Sequence, residues 1–294
     1  MAKARDIGRR MNSVESTRKI TRTMEMVATS KLRRAQLRVR EARPFAERLT
    51  TVVENLVTPE LAELEPMLRQ PDRIRRAAII LVTSNRGLCG AFNVNLIRKA
   101  RALLAELQAS DVETEFHVIG KKGISYFRFR NVEMAVTRTD ISDSPSPDDA
   151  RSLIDPLAER FVREELDAVY VVHAEFKSVM STPPITRRLL PVYVPQERPS
   201  REPYYILDPS ADVILARLLP LHLVSSTYRA LVENAAAEQG ARRTAMKSAT
   251  DNADDFLTTL RRQFNRARQQ EITSQLAEII GGAEALKGCL LYTS

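Results

Sequence analysis

The 294-residue chain has no tryptophan, only two cysteines, and aromatic residues at 5% of its positions. The cysteines, Cys89 and Cys289, stand 200 positions apart. That spacing offers neither a metal site nor a disulfide framework and suits a reducing cytoplasm. Long apolar runs are missing as well. The longest clean one, Ala77 to Val82, falls far short of the ~20 residues needed to cross hydrocarbon, so no membrane-spanning helix is expected. The opening MAKARDIGRR is charged with no apolar segment behind it, so no signal peptide is expected. Helix breakers are scarce at both ends. From Ala4 to Arg43 the only one is Gly8, and from Leu221 to Ile280 the only one is Gly240.

What is there, accordingly, is two very long helical stretches. They would reach roughly 60 Å and 90 Å, against about 12 residues for an average helix. Periodic segments of this length indicate a coiled coil, a membrane span or a repeat, and the span is already excluded. Ala28, Leu32, Ala35, Val39, Ala42, Ala46, Leu49, Val53 and Leu56 follow the 4-3 spacing of a coiled-coil seam. Ile7, Met11 and Val14 keep that spacing earlier, but Glu15 to Thr23 is polar except for Ile20, which predicts a slip in phase. Pro44, without an N–H, predicts a bend. The second stretch shows Val224, Tyr228, Leu231 and Ala235, then Ala249, Ala253, Phe256, Leu260, Phe264 and Ala267. Small residues between Ala235 and Ala249 would permit close approach of the axes. Lying antiparallel, the two ends of one chain bury both seams at high effective concentration.

The charge is concentrated. Residues 1–50 hold fourteen Lys/Arg against five Asp/Glu, a net +9 out of +8 for the whole chain. Two readings stand: a solvated basic face, or a surface for an acidic partner such as nucleic acid, anionic lipid or protein.

The middle alternates strands and helices. Strands are expected over Ala77–Thr83, Glu113–Ile119, Val132–Thr137 and Ala168–Ala174, and helices near Asn93–Ala109, Lys121–Phe127 and Asp148–Leu166. A further extended pair is expected from Phe176 to Val194, and a Pro-rich linker follows from Pro195 to Pro209. The pattern predicts a parallel or mixed open sheet. The expected fold class is α+β: a long antiparallel coiled coil of the N- and C-terminal helices plus a central α/β, Rossmann-like open-sheet domain.

Motifs of catalysis are lacking. H-E-x-x-H, G-x-S-x-G and paired carboxylates do not occur. The loop Ser84 to Gly90 joins a strand to a helix, which is phosphate-binding geometry, but it is neither G-x-G-x-x-G nor G-x-x-x-x-G-K-[ST]. The alternative is that Gly87 and Gly90 serve a tight turn. Cys89 reads as a buried thiol, and His117, His173 and His222 read as core or rim residues. The last helix carries a polar cluster, Arg266, Arg268, Gln269, Gln270, Glu271 and Thr273, and then turns apolar at Ile272, Leu276, Ile279 and Ile280. A helical tip of that kind is expected to end inside something.

Five segments carry a resemblance. They are Ile20–Lys31 (ITRTMEMVATSK), Ser84–Asn93 (SNRGLCGAFN), Glu233–Arg242 (ENAAAEQGAR), Thr244–Ala253 (TAMKSATDNA) and Asn265–Thr273 (NRARQQEIT). In collinear order over about residues 3–286, the chain resembles the gamma subunits of F-type ATP synthases, of the bacterial type without the cysteine-bearing insert of chloroplasts. The resemblance implies a non-catalytic rotor shaft without cofactor. It would couple proton flow through the c ring to conformational change in the beta subunits, and so to ATP synthesis or hydrolysis. Its implied partners are the alpha and beta subunits of the catalytic ring, the epsilon subunit and the c ring. Its implied place is the cytoplasmic face of the bacterial plasma membrane, touched only through partners.

By resemblance, Arg268, Gln269 and Thr273 form a polar catch with a beta-subunit loop. Met24, Lys31, Arg33 and Arg34 meet the acidic lever loops of the beta subunits. Leu276, Ile279 and Ile280 sit in an apolar bearing, and Tyr205 and Asp208 belong to the foot near epsilon and the c ring. The expected divisions are a first coiled-coil helix (1–57), the α/β domain (75–195), a linker or foot (196–210), the second coiled-coil helix (211–286) and an atypical tail (287–294). That tail, Lys287 to Ser294, matches nothing in the family pattern and is read as a read-through or assembly artefact, with a natural extension as the alternative. Asn85 stands where the family usually has Asp, a change expected to matter little. The competing reading is a basic coiled-coil protein that binds nucleic acid. It lacks a recognition fold, and Phe45 is the only aromatic among its first fifty residues. A nucleotide-using α/β enzyme with helical arms is the third reading.

Overall fold

Ala77 to Val82 are all buried, because the run they form is the central strand of a five-stranded sheet with both faces covered. The computed structural model describes residues 2–58, 61, 65–141, 143–192 and 210–290. The elements are α1 (Ala2–Leu56), a 3-10 turn (Pro66–Leu68), β1 (Arg76–Val82), α2 (Phe92–Ala109), β2 (Glu113–Ile119), α3 (Lys121–Phe129), β3 (Val136–Arg138), α4 (Pro147–Val162), β4 (Ala168–Ala174), β5 (Pro184–Leu190) and α5 (Ala211–Leu290). They make two compact units, Val27–Ala245 and Met1–Met26 with Met246–Ser294.

In the first unit the sheet order is β3-β2-β1-β4-β5, with β1 parallel to both β2 and β4, and β5 antiparallel to β4. Ala78, Ile80 and Val82 join one core with α4, Leu49, Val53 and Leu56, and the stretch from Leu215 to Leu231. Ala77, Ile79 and Leu81 join the other with α2, α3, Leu32, Ala35 and Val39, and Val232, Ala236 and Ala237. Helix α4 starts where Ser146 and Asp149 exchange side-chain and backbone hydrogen bonds, a capping box with Pro147 at the first helical position. Asp167 accepts from the N–H of Arg75 (2.8 Å) and Arg76 (2.9 Å), tying the start of β1 to that of β4. Gly120 has φ +96°, and a Cβ there would lie 2.2 Å from the Thr83 carbonyl oxygen, so only glycine lets the chain pass.

Two expectations for this unit need correction. Strand β3 covers Val136–Arg138 and not Val132–Thr137, because Asn131 (φ 54°) turns the chain and Val132 N–H bonds back to Phe127. Of the expected pair from Phe176 to Val194, the described residues, which reach Val192, hold one strand, β5. Lys177 to Ser181 is a turn closed by hydrogen bonds between Ser178 and Ser181.

In the other unit α1 and α5 run antiparallel: Gly8 lies against the Phe264 ring, Arg18 against Asp254 and Thr21 against Thr250. The expected phase slip is absent. Ile7, Met11, Val14, Arg18, Thr21, Glu25 and Ala28 keep unbroken 4-3 spacing along α1, and none of them is exposed. The seam turns polar without turning away. On α5 the inward positions are Met246, Thr250, Ala253, Leu257, Leu260, Phe264 and Ala267. Phe256, expected in that seam, is 52% exposed, and Leu257 takes its place at 2%. Either step from Ala253, three or four residues, satisfies heptad spacing; packing selects the longer one. Helix α1 continues through Pro44 and α5 through Pro220.

Candidate functional site

The polar part of the seam is built from threonine pairing. Thr21 Oγ1 and Thr250 Oγ1 are 2.8 Å apart, so one hydroxyl donates to the other; each also has a carbonyl of its own helix in reach, Arg18 O and Met246 O, to which the accepting hydroxyl donates. One turn away Arg18 Nη1 meets Asp254 Oδ1 at 2.8 Å. Met24 is half-buried, while Ile20 and Met26 are 59% and 60% exposed. From Arg268 to Ala283 no residue is buried. Arg268, Gln269 and Thr273 are exposed, and the Thr273 hydroxyl donates to Gln269 O at 2.9 Å. Ile272, Leu276, Ile279 and Ile280 are 46–68% exposed on this helical tip. Leaving four large aliphatic side chains in water is unfavourable, so the tip carries the signature of a surface that a partner covers.

The unit that bears the sheet holds the later basic residues of α1, from Lys31 to Arg48. Arg33 and Arg34 are exposed. Lys31 is half-buried, and its ammonium sits 2.5 Å from Asp143, an internal partner of a kind that, among the described residues, the two arginines lack. Arg38 donates to Ser144 Oγ at 2.8 Å. The Ser84–Gly90 loop is turned inward. Ser84 Oγ donates to Arg86 O, Asn93 Oδ1 accepts from Ser84 N–H, and Arg242 donates to the carbonyls of Arg86 and Gly87 at 3.3 Å. Arg242 is oriented by Glu238 at 2.6 Å; both side chains are 8% exposed. The loop therefore spends its carbonyls on a guanidinium from α5 and does not form a phosphate cradle.

Leu231 to Gly240 are all buried, and this stretch of α5 carries charge into the interior. Glu233, fully buried, accepts from Arg43 and from Arg229, both at 3.0 Å, and Arg229 also reaches Glu47 at 3.2 Å. Arg43 donates to Phe176 O, and the Asn234 amide oxygen accepts from Ala174 N–H, at the end of β4. Such a network specifies register through geometry.

The titratable groups weighed for catalysis lie in the framework. Burial, with Arg187 and Arg229 nearby, lowers His173 to about 3, so it is neutral at pH 7. Burial and Arg187 lower His222. Burial raises the Cys89 thiol, which outweighs its hydrogen bonds to Ser84 and Asn93. His117 pairs with Glu115, itself held by Arg160 at 2.7 Å. Among the described residues no group of three or more His, Cys, Asp or Glu is placed to hold a metal, and no helix is long and apolar enough to cross a membrane. Tyr205 and Asp208 lie outside the described residues.

Sequence reasoning missed the threonine seam and the Arg43–Glu233–Arg229 cluster. For the first a signal was available: Ile7 and Ala28 are three heptads apart, so the register had to be continuous. For the second there was none, because buried charge cannot be told from surface charge in a helix of mixed composition. The structure also brings the quoted segments together in pairs. ITRTMEMVATSK meets TAMKSATDNA through Thr21 and Thr250, and SNRGLCGAFN meets ENAAAEQGAR through Arg86, Gly87 and Arg242.

Solved chains from two mitochondrial ATP synthases share this fold. One similar solved chain is from the Euglena gracilis mitochondrial ATP synthase (17% identity, TM-score 0.65, 97% of this chain and 95% of that one). Another is from the central stalk and c-ring structure of the Tetrahymena thermophila enzyme (22%, TM-score 0.61, 78% and 99%). At these identities the likeness concerns the fold. Sequence carries the rest. The family described as ATP synthase matches residues 3–286. The ATP synthase gamma chain of Gemmatimonas aurantiaca is 52% identical over 98% of this chain and 100% of its own length. The gamma chain of Frankia casuarinae is 42% identical over 96% and 97%. The chain belongs to the ATP synthase gamma chain family. Nothing supports the nucleic-acid reading.

Proposed function

We propose that this chain is turned as the central shaft of the ATP synthase and makes or breaks no bond itself. It would be driven at its foot by the c ring beside epsilon. The catalytic ring of alpha and beta subunits would surround its helical pair, with the assembly held at the cytoplasmic face of the bacterial membrane through those partners. The observation that carries the reading is the bare tip of α5, polar at Arg268 and Gln269 and apolar beyond, on a chain related to gamma chains over its whole length. Switching a beta subunit from a 1:99 to a 99:1 preference takes about 5.5 kcal/mol of differential contact. A few charge-assisted hydrogen bonds at roughly 1.5–3 kcal/mol each supply that.

In this proposal Arg268, Gln269 and Thr273 are the catch for a beta-subunit loop, which fits their exposure. Leu276, Ile279 and Ile280 turn in an apolar bearing, where the lack of directional bonds permits rotation. Met24, Arg33 and Arg34 meet acidic lever loops, and Lys31 joins them only by exchanging Asp143 for an external carboxylate. Tyr205 and Asp208 are assigned to the foot. The functional divisions are then the helical pair (1–57 and 211–286), the sheet domain (75–195) and the foot (196–210).

The test is Arg268→Ala with Gln269→Ala in the reconstituted complex, comparing ATP-driven proton pumping with ATP hydrolysis. A lower pumping-to-hydrolysis ratio with an unchanged melting curve of the free chain is expected. An unchanged ratio removes the assignment.

A further inference from the structure

A concave site lies in the sheet-bearing unit, where α1 faces the Ser84–Gly90 loop and the loop before α4. The cleft, about 370 Å3, is lined by Lys31, Arg34, Arg38, Arg86, Asn85, Asp143 and Ser144. Lys31, Arg34 and Arg38, spaced by three and four residues, share one helix face. Among the described lining residues the one carboxylate is Asp143, which Lys31 already holds at 2.5 Å, while Arg38 is engaged with Ser144 Oγ at 2.8 Å. Among the described residues Arg34 and Arg86 have no acidic group within ion-pair distance. Four cations around one anion in a concave wall repel one another and focus positive potential.

Asn85 keeps a second anion out of this cleft. Its amide donates to Thr139 O (3.0 Å) and Ile141 O (3.2 Å), and its oxygen accepts from Lys121 N–H (3.1 Å). It thus fixes the loop that presents Asp143 without adding charge. Aspartate, the usual residue of the family here, would add a negative charge to the cleft and lose both donors.

We propose that this cleft binds a condensed phosphate, either pyrophosphate or the phosphate tail of a nucleotide, with Arg34 and Arg86 as the unspent forks. Planar guanidinia match phosphate oxygens two at a time, and a compact polyanion neutralises several of them at once. The cleft shares Lys31 and Arg34 with the surface assigned above to the lever loops, so phosphate enters it in the free chain, where binding is read without any coupling measurement.

Isothermal titration of the full chain with inorganic pyrophosphate at constant ionic strength is expected to give one saturable site. Arg34→Gln with Arg86→Gln, both at exposed positions, is expected to weaken it about ten-fold or more. Arg98→Gln, on the exposed face of α2, is expected to leave it unchanged, and thermal melts check that every variant is folded. An ADP titration separates the two sources: tighter pyrophosphate indicates the free phosphate, tighter ADP the nucleotide. Absence of saturable heat, or equal affinity in the double variant, overturns the proposal. So does displacement of pyrophosphate by a poly-glutamate peptide at lower concentration, which would assign the cleft to an acidic protein segment.

Discussion

The hydroxyls of Thr21 and Thr250 share a 2.8 Å hydrogen bond inside a heptad seam that is apolar on either side. Each keeps a backbone acceptor in its own helix, so removing one partner leaves no unsatisfied donor. Thr21→Val and Thr250→Val are each expected to cost about 1 kcal/mol, and the pair together less than the two costs added, because two apolar groups of the same shape repack. Urea unfolding of the four proteins measures this. Additive costs would mean that the two hydroxyls do not interact.

Glu233 is the anion of a buried network with two arginines within hydrogen-bonding distance. Glu233→Gln strands Arg43 and Arg229 and is expected to cost about 3 kcal/mol or more. Glu47→Gln, whose parent carboxylate is 56% exposed, is expected to cost under about 1 kcal/mol. Denaturant midpoints of the two variants test the ranking, and equal losses would contradict it.

His173 titrates near 6.5 when exposed and at about 3 in its buried position. Between those values the unfolded chain binds a proton that the folded chain does not. Stability therefore falls as pH is lowered from 6.5 towards 3, by up to about 1.4 kcal/mol per pH unit. Replacing His173 by Leu is expected to flatten the pH dependence of the urea midpoint between pH 6.5 and 4.5. An identical slope in wild type and variant would show that His173 contributes nothing to it.

Asn85→Asp is expected to destabilise the free chain by about 1–2 kcal/mol, since a carboxylate cannot donate to Thr139 O and Ile141 O. Thermal melting reads the change. A neutral outcome would support the sequence-based expectation that this position matters little.

Ile279→Asp and Ile280→Asp are expected to leave the free chain within about 0.5 kcal/mol of wild type, because both side chains are already 68% and 61% exposed. In the assembled synthase the same changes are expected to lower assembly yield or ATP hydrolysis. Destabilisation of the free chain would mean that the tip packs on the chain itself.

Much of the fold was legible in the sequence because its signals are periodic. Of the nine residues from Ala28 to Leu56 on the 4-3 pattern, all but the half-buried Ala42 are buried. Strands β1, β2 and β4 lie where short β-branched runs put them. Reading failed where periodicity is ambiguous or polar: at Phe256, where two heptad steps compete, and around Thr21, where polar side chains hide an intact register. Of the candidate site, the apolar tip was legible as Ile272, Leu276, Ile279 and Ile280. The internal partner of Lys31 was not, because Asp143 is 112 residues away.

By itself the sequence determined that both chain ends are helical, that their seams match, and which family the chain joins, since repeat spacing and collinear segments are properties of order along the chain. Tertiary structure alone decided which charges are spent and which are free. Arg242 is committed to the Arg86 and Gly87 carbonyls and Arg43 to Glu233, while Arg33, Arg34 and Arg268 face outward. All five are the same residue type on long helices, and what separates them is the carboxylate or carbonyl that folding brings within 3.3 Å. Charge pairing across 150 to 190 residues is a matter of distance in space, which local sequence does not encode.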